Sequence, residues 1–168
     1  MERFDRLDKI QLRNLLNKGW MTHDGMWFFH CLQECGIEQT NKINRAAVKT
    51  MAMVEAKRIA KAIGLENIRS FDEVKILLQE GFEIIKADFM NFQLRFPAEN
   101  IFRWDIPTCF AYEAVKKLGV EDRYQCGIVD RPRAWFAALG IRYQMSPEGE
   151  GCLMHNTGFC SREFQFFF

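Results

Sequence analysis

Apolar residues recur at helical spacing in the first half of this chain and alternate with polar residues in much of the second half. The helical period predicts helices over about 8–16, 26–35, 39–63 and 71–80. We expect them to end near Gly19, Gly36, Gly64 and Gly81, because glycine is the residue that most often terminates a helix. Ser70 and Glu73 have the spacing of a capping box, which marks the start of the last of these helices.

The period changes near Phe89. Apolar residues then alternate over 92–96 and 102–106, which predicts a hairpin with a four-residue loop, Pro97–Asn100. Helices are predicted over about 109–118 and 122–139, and two further strands over 141–145 and 157–168. The fold class is therefore α+β, with a helical N-terminal half followed by an antiparallel β-β-α-α-β-β unit. We expect a single domain over 1–168, with a helical subregion of about 1–88 and a sheet-containing subregion of about 89–168.

Charge and hydropathy narrow the classes of partner. The chain has 23 Lys and Arg against 22 Asp and Glu, a net charge of +1, whereas nucleic-acid binders usually carry a basic excess. No apolar run approaches the roughly 20 residues that span a bilayer, and the first residues, MERFDRLDKIQ, lack the apolar core of a signal peptide. We therefore expect a cytoplasmic protein with reduced thiols that binds neither nucleic acid nor membrane.

Six cysteines are the most reactive residues in the sequence, and four of them lie in the last 60 positions. Their spacing matches no zinc-finger or ferredoxin pattern. Cys109 lies at a predicted helix start, where the helix dipole lowers a thiol pKa. If the two helices after the hairpin pack on the sheet, Cys109, Cys126 and Cys160 converge there and form a metal site, for zinc or an iron-containing centre. Cys152, His155 or Asp130 would then be the fourth ligand. The alternative is that each thiol is separately buried as a small apolar group.

The segment Thr22–Phe29 is the second candidate for chemistry. His23 and Asp24 stand at the predicted start of a helix, where free N–H groups favour polar ligands, and Trp27 offers a stacking face. Arg131 is predicted to hold a carboxylate of the ligand. We expect a pocket between this segment and the sheet, with Trp27 in its wall and a cysteine at its base. The alternative is a solvent-facing helix cap with its aromatic residues in the core.

The chain resembles known families through several short motifs. Asp24-Gly25-x-Trp27-Phe28, Glu34-x-Gly36 and Glu55–Ile59 resemble an uncharacterised family of prokaryotic cytosolic proteins, filed under a domain of unknown function. The C-terminal half is also similar to the L-2-amino-thiazoline-4-carboxylate hydrolase-like family. That similarity rests on Thr108–Tyr112, on Cys126 with Asp130, and on Gly158, Cys160 and Phe164. The resemblance implies an α+β fold with a cysteine-bearing pocket.

Two functions follow as hypotheses. The first is a protein of unknown function whose cysteine-lined pocket binds a small ligand or a metal. The second is a cysteine-dependent hydrolase of a small cyclic carboxylate, with Cys109 or Cys126 as nucleophile and Asp130 or His155 as acid or base. The sequence leaves open whether the protein is an enzyme, and a homodimer is compatible with it.

Overall fold

The computed structural model describes residues 3–65, 67–149 and 151–168. A short 3-10 helix, Arg3–Arg6, precedes a long helix, α1 (Lys9–Ala62). The other elements follow in this order: α2 (Phe71–Ile85), β1 (Asn91–Ala98), β2 (Ile101–Thr108), α3 (Phe110–Lys117), α4 (Asp130–Ala138), β3 (Arg142–Ser146), α5 (Leu153–Thr157) and β4 (Cys160–Phe167). The predicted α+β class with a helical N-terminal half is confirmed.

α1 runs through two positions where the sequence predicted an end and a new start. The predicted stop at Gly19 and the predicted cap at Thr22–Gly25 are wrong, and the backbone leaves helical geometry only at Gly36, where φ is 72°. A glycine inside a helix costs only about 1 kcal/mol, which tertiary contacts can outweigh. Asn17 supplies such contacts, because its side-chain amide donates to the carbonyl oxygens of Ile84 and Lys86, each at 3.0 Å.

The second half of α1 packs against α4. Its buried face runs through Ala52, Ala56, Ile59 and Ala60. The helical period of the sequence predicts a different apolar side, formed by Ile43, Ala46, Ala47, Met51, Val54 and Ile59, and of these Val54 is exposed. Small alanine side chains let two helices approach closely. They carry little weight in a hydropathy pattern, and this is why the predicted face was rotated away from the observed one.

The sheet is antiparallel, with strand order β1-β2-β4-β3. The β1–β2 turn is shorter than predicted, since only Glu99 and Asn100 separate the strands and Asn100 adopts a φ of 60°. α4 begins at Asp130 rather than near Asp122, which puts Pro132 in its first turn, where proline is tolerated. α5 lies between β3 and β4, so the observed unit is β-β-α-α-β-α-β.

One face of the sheet is covered by helices. Phe82 of α2 lies 5.6 Å, between ring centroids, from both Trp104 of β2 and Trp135 of α4. Phe136 of α4 packs edge-on against Phe164 of β4. These rings form the core and fix the helices over the inner face of the sheet.

The opposite face is polar. There Asp105 accepts hydrogen bonds from the Ser161 hydroxyl and the Arg103 guanidinium. Burial tends to raise the pKa of Asp105, but these bonds hold it below its ordinary value. No helix in the described part of the chain, α1 included, has an apolar stretch long enough to cross a membrane.

Candidate functional site

A cavity of about 600 Å³ lies between α1 and the inner face of the sheet, and we call it the apolar cavity. Its walls include residues from several parts of the chain, among them Trp20, Asp24, Phe28, Asn44 and Val48 of α1, Phe82 and Ile85 of α2, Phe92 of β1, Trp104 and Ile106 of β2, Ala111 and Ala114 of α3, and Tyr124, Gly127 and Ile128 before α4. Most of these side chains are apolar, and the volume is within the range of small-molecule sites.

Local geometry explains how the cavity is closed. Trp20, Asp24 and Phe28 are four residues apart, so the uninterrupted helix presents them on one face. On the other side, the loop before α4 reaches α1 at Gly127. A Cβ at this position would lie 2.9 Å from the Asn44 amide nitrogen and 3.5 Å from a Val48 methyl group. A larger residue at this position would require the Asn44 side chain to move.

Trp104 provides a hydrogen-bond donor without a protein partner. It is 5% exposed and lines the apolar cavity, and its Nε1–H has no acceptor among the described residues. Buried indole N–H groups usually have a partner, because leaving one unpaired is unfavourable by about 1–3 kcal/mol. The cavity therefore pairs an apolar wall with one donor available to a ligand.

Asp24 and Arg131, two of the predicted ligand-binding residues, both line the apolar cavity. Asp24 is exposed, yet partial desolvation raises the pKa of its carboxyl group, and the charge of Arg131 counteracts part of this rise. No described residue forms a hydrogen bond or ion pair with the Asp24 side chain. It remains available to a ligand that carries a donor.

Arg131 is largely committed to other side chains. Its Nε and one terminal nitrogen bond the two carboxylate oxygens of Glu55, at 2.8 and 2.5 Å, and its guanidinium lies 4.9 Å from the Trp20 ring centroid. Glu55 also accepts from Trp135 Nε1 at 2.8 Å. Arg131 thus positions the cavity wall, and its bidentate partner is Glu55 rather than a ligand carboxylate.

A second, smaller cavity lies beside the first. Its volume is about 20 Å³, close to that of one water molecule, and it is lined by Cys109, Cys126, Cys152 and Cys160 together with Arg162. We call it the cysteine cavity. Cys109, Trp104, Ile106 and Ile128 line both cavities, so these residues form the partition between them.

Three of the thiols that line the cysteine cavity, those of Cys109, Cys126 and Cys160, have raised pKa values. Burial raises the pKa of Cys126 to about 12 and that of Cys160 to about 11. Burial also raises the pKa of Cys109, although backbone N–H groups of Tyr112 and Ala111 act in the other direction. The lowered pKa that the sequence predicted for Cys109 is therefore wrong, because desolvation outweighs the start of an eight-residue helix.

The geometry does not add support for a metal centre. Among the described residues, no group of three or more His, Cys, Asp or Glu side chains is arranged to hold a metal ion. Metal ligation also requires thiolates, which the raised pKa values disfavour. The predicted site of Cys109, Cys126 and Cys160 remains a prediction that these contacts do not strengthen.

Asp130 lies apart from the residues that line the cysteine cavity. It is fully buried at the start of α4, where it accepts from Arg45 Nε at 2.8 Å, and Lys49 and Arg133 are within 4 Å. This is the geometry of an ion pair that ties α4 to α1. A catalytic role for Asp130 would require it to exchange that pair for substrate.

His23 and Trp27 do not line the apolar cavity. They are exposed and hydrogen-bonded to each other, with Trp27 Nε1 donating to His23 Nε2 at 3.1 Å. Trp27 therefore lies outside the lining of the apolar cavity, and its role in ligand binding stays a prediction. Trp27 stands two helical turns after Trp20, at the edge of the side of α1 that carries Trp20, Asp24 and Phe28. His155 is exposed and lies near the Tyr112 ring.

Sequence reasoning missed Trp20 and Trp104 as wall residues. Trp104 was read only as a strand residue of the core, and Trp20 lay in a segment predicted to be a loop. The four-residue spacing of Trp20, Asp24 and Phe28 was the available signal. It is visible once the helix is taken through Gly19 and Gly25.

A groove of about 540 Å³ between α1, α2 and β1 is a further concavity in the described part of the chain. Several of the charged residues that line it are paired within the protein, such as Glu83 with Arg13 at 3.1 Å and Asp88 with Lys18 at 2.7 Å. The groove is therefore a weaker candidate than the apolar cavity.

Comparison with known families agrees with the first resemblance. Residues 3–138 match DUF6125, a family of unknown function. The chain belongs to this family. The matched region contains α1, both strands of the hairpin and α4, and so it includes every wall of the apolar cavity described above. Neither the curated proteins nor the solved structures include a significant match to the chain.

Proposed function

We propose that this DUF6125 protein binds a small, mainly apolar molecule in the apolar cavity. The observation that carries the proposal is the cavity itself, whose aromatic and aliphatic walls surround the unpaired Nε1–H of Trp104. A ligand that fits has an apolar body and a hydrogen-bond acceptor, such as a carbonyl or ether oxygen, that reaches Trp104. A donor on the same ligand would meet Asp24.

Cys109 is part of the proposed site as a wall residue. It lines the cavity as a protonated, buried thiol, and a protonated thiol packs like a small apolar group. The proposal therefore needs neither a metal nor a covalent step. It retains the small-ligand part of the hypothesis drawn from the sequence.

The alternative function, a cysteine-dependent hydrolase, has less support. A nucleophilic cysteine must be a thiolate, and burial raises the pKa of Cys109 and brings that of Cys126 to about 12. Neither of the two predicted bases lies beside these thiols in the described part of the chain, because His155 does not line either cavity and Asp130 is held by Arg45. We favour binding without turnover.

The proposal is tested with N-phenyl-1-naphthylamine, an uncharged fluorophore whose emission rises in apolar surroundings. We expect it to bind the wild-type protein and to lose at least about tenfold in affinity in Ala47→Phe, which places a ring among the residues lining the cavity. Ala46→Phe is the matched control, because Ala46 neighbours Ala47 but does not line the cavity. Equal probe affinity in all three proteins would reject the cavity as the binding site.

A second comparison tests the donor. Trp104→Phe keeps an aromatic wall but removes Nε1–H, so a probe with a carbonyl acceptor, such as 6-propionyl-2-dimethylaminonaphthalene, should bind more weakly by about 1 kcal/mol. Trp27→Phe removes an indole outside the cavity and should have no effect. An unchanged affinity in Trp104→Phe would show that Trp104 contributes no hydrogen bond to the ligand.

A further inference from the structure

The first half of α1 exposes large apolar side chains on the face that points away from the apolar cavity. Leu15, Leu16, Met26 and Trp27 are 60%, 63%, 53% and 62% exposed. Such residues are unremarkable when scattered, but a contiguous exposed patch usually marks an interaction site. These four lie within four turns of one helix.

Helical spacing places them on a common face. Successive residues of an α-helix are 100° apart, so Leu16, Gly19, His23 and Met26 follow the three- and four-residue steps of a helix-packing seam. Leu15 and Trp27 flank this seam. Asp24 and Phe28 point away from the seam and line the apolar cavity, and Trp20, which also lines it, lies beside the edge of the seam formed by Trp27. We call the exposed seam and its flanks the outer face of α1.

The charges at the two ends of this face identify the kind of partner. Lys9 lies at its N-terminal end and Glu34 at its C-terminal end, and both are exposed. A helix that lies on an anionic membrane usually carries Lys and Arg along both flanks, which this face does not. Opposite charges at opposite ends are instead complementary to the same helix turned end for end.

We infer that the outer face of α1 is the contact surface between two copies of this chain, with the two helices antiparallel. In that arrangement Leu16 packs against the partner's Met26, and Leu15 against the partner's Trp27. Gly19, around which no atom lies within 4 Å of an added Cβ, faces the partner's His23 and leaves room for its ring. Lys9 comes close to the partner's Glu34.

The size of the contact fits a reversible dimer. From Lys9 to Gly36 the helix is about 40 Å long, at about 1.5 Å per residue. Two such helices bury less area than the roughly 800 Å² per partner of a standard stable interface. We therefore expect the association to depend on protein concentration rather than to be permanent.

Sedimentation velocity of the full chain over a range of concentrations tests the inference. We expect a monomer–dimer equilibrium for the wild type, and a shift to monomer in Leu16→Glu and in Met26→Glu, with affinity reduced at least about tenfold. Met53→Glu is the matched control, since Met53 is an exposed methionine of α1 beyond the kink at Gly36 and should leave the dimer intact. Circular dichroism confirms that each variant is folded.

Charge reversal tests the antiparallel register. Lys9→Glu should weaken the dimer by bringing two carboxylates together, and adding Glu34→Lys to that variant should restore it. Recovery is expected only if residue 9 of one copy meets residue 34 of the other. A wild type that stays monomeric at all concentrations would overturn the inference. So would co-sedimentation of the monomer with vesicles of phosphatidylglycerol and phosphatidylcholine, or a dimer that Leu16→Glu and Met26→Glu leave unchanged.

Discussion

Buried thiols in this protein behave as apolar side chains. Cys109 and Cys152 are less than 10% exposed, and together with Cys126 and Cys160 they surround a space large enough for one water molecule. Burial makes a charged thiolate unfavourable because little water is available to solvate it. This desolvation raises the pKa of Cys126 to about 12 and that of Cys160 to about 11, and the neighbouring cysteines add to the rise.

The raised pKa values of Cys126 and Cys160, together with the exposure of Cys35, predict the pattern of cysteine alkylation. With iodoacetamide at pH 8, Cys35 should react first because it is exposed, whereas Cys126 and Cys160 should stay unmodified. At pH 8 a thiol with a pKa of about 12 is ionised in only about one molecule in 10⁴. A raised pKa means that thiolate accumulates as pH rises, so reaction at Cys126 should speed up about tenfold per pH unit while the protein stays folded.

Peptide mass spectrometry after timed alkylation measures these rates residue by residue. Protein unfolded in guanidinium provides the control, since all six cysteines should then react at similar rates. If folded Cys126 reacts at pH 8 as quickly as Cys35, its thiol is accessible and ionised, and the argument against a nucleophilic cysteine fails.

Within single helices, glycines differ in how closely other atoms approach the position of an added Cβ. Gly25 has no atom within 4 Å of an added Cβ, and α1 passes through it without a break. Gly81 of α2 is packed against α4, and a Cβ there would lie 2.7 and 2.9 Å from two atoms of the Trp135 ring. Trp135 is 1% exposed and bonded to Glu55, so its ring has little freedom to move aside.

Gly81→Ala should therefore destabilise the protein. Overpacking against Trp135 costs about 1–3 kcal/mol, and the better helix propensity of alanine returns up to about 1 kcal/mol. We expect the free energy of unfolding to fall by about 1–2 kcal/mol. Gly25→Ala, the same change in an open position, should raise it by up to about 1 kcal/mol. Urea unfolding of both variants gives the comparison, and a stabilised Gly81→Ala would show that α2 and α4 do not approach this closely.

For the molecule as a whole, Glu55 is the junction between α1 and α4. Its carboxylate accepts two hydrogen bonds from Arg131 and one from Trp135, and the side chains of Glu55 and Arg131 are only 16% and 15% exposed. Through Arg131, the same carboxylate reaches the Trp20 wall of the apolar cavity. Glu55 therefore contributes both to the stability of the fold and to the shape of the apolar cavity.

Replacing Glu55 by alanine should lower the free energy of unfolding by about 3 kcal/mol. The change leaves the guanidinium of Arg131 and the indole N–H of Trp135 without their acceptor in a largely buried place. Glu83→Ala provides the control, because its pair with Arg13 is 56% exposed on the Glu83 side and such pairs contribute less than about 1 kcal/mol. Denaturant unfolding that gives equal losses for the two variants would contradict a central role for Glu55.

Local signals in the sequence determined the fold class and several boundaries. Ser70 and Glu73 form the predicted capping box, α1 leaves helical geometry at Gly36 and ends just before Gly64, and the alternation through Phe102, Trp104 and Ile106 produces the central strand. In each case the signal lies within a few neighbouring residues. It is a hydrogen bond between two residues three positions apart, a glycine at a helix end, or the alternation of side chains along one strand. Nothing distant was needed to predict them.

The candidate site depends on contacts that only the tertiary structure decided. Local pattern favours an end of α1 near Gly19, because the carbonyl oxygens of Ile84 and Lys86 that accept from Asn17 lie far along the chain. The continuation of α1 puts Trp20, Asp24 and Phe28 on one side of a single helix, toward the apolar cavity, and it creates the outer face of α1. The pKa of Cys109 likewise depends on how deeply β2, α3 and their neighbours bury it. The helix propensity of a single residue such as Gly19 amounts to only about 1 kcal/mol. Contacts between segments that are distant in the sequence are strong enough to override it.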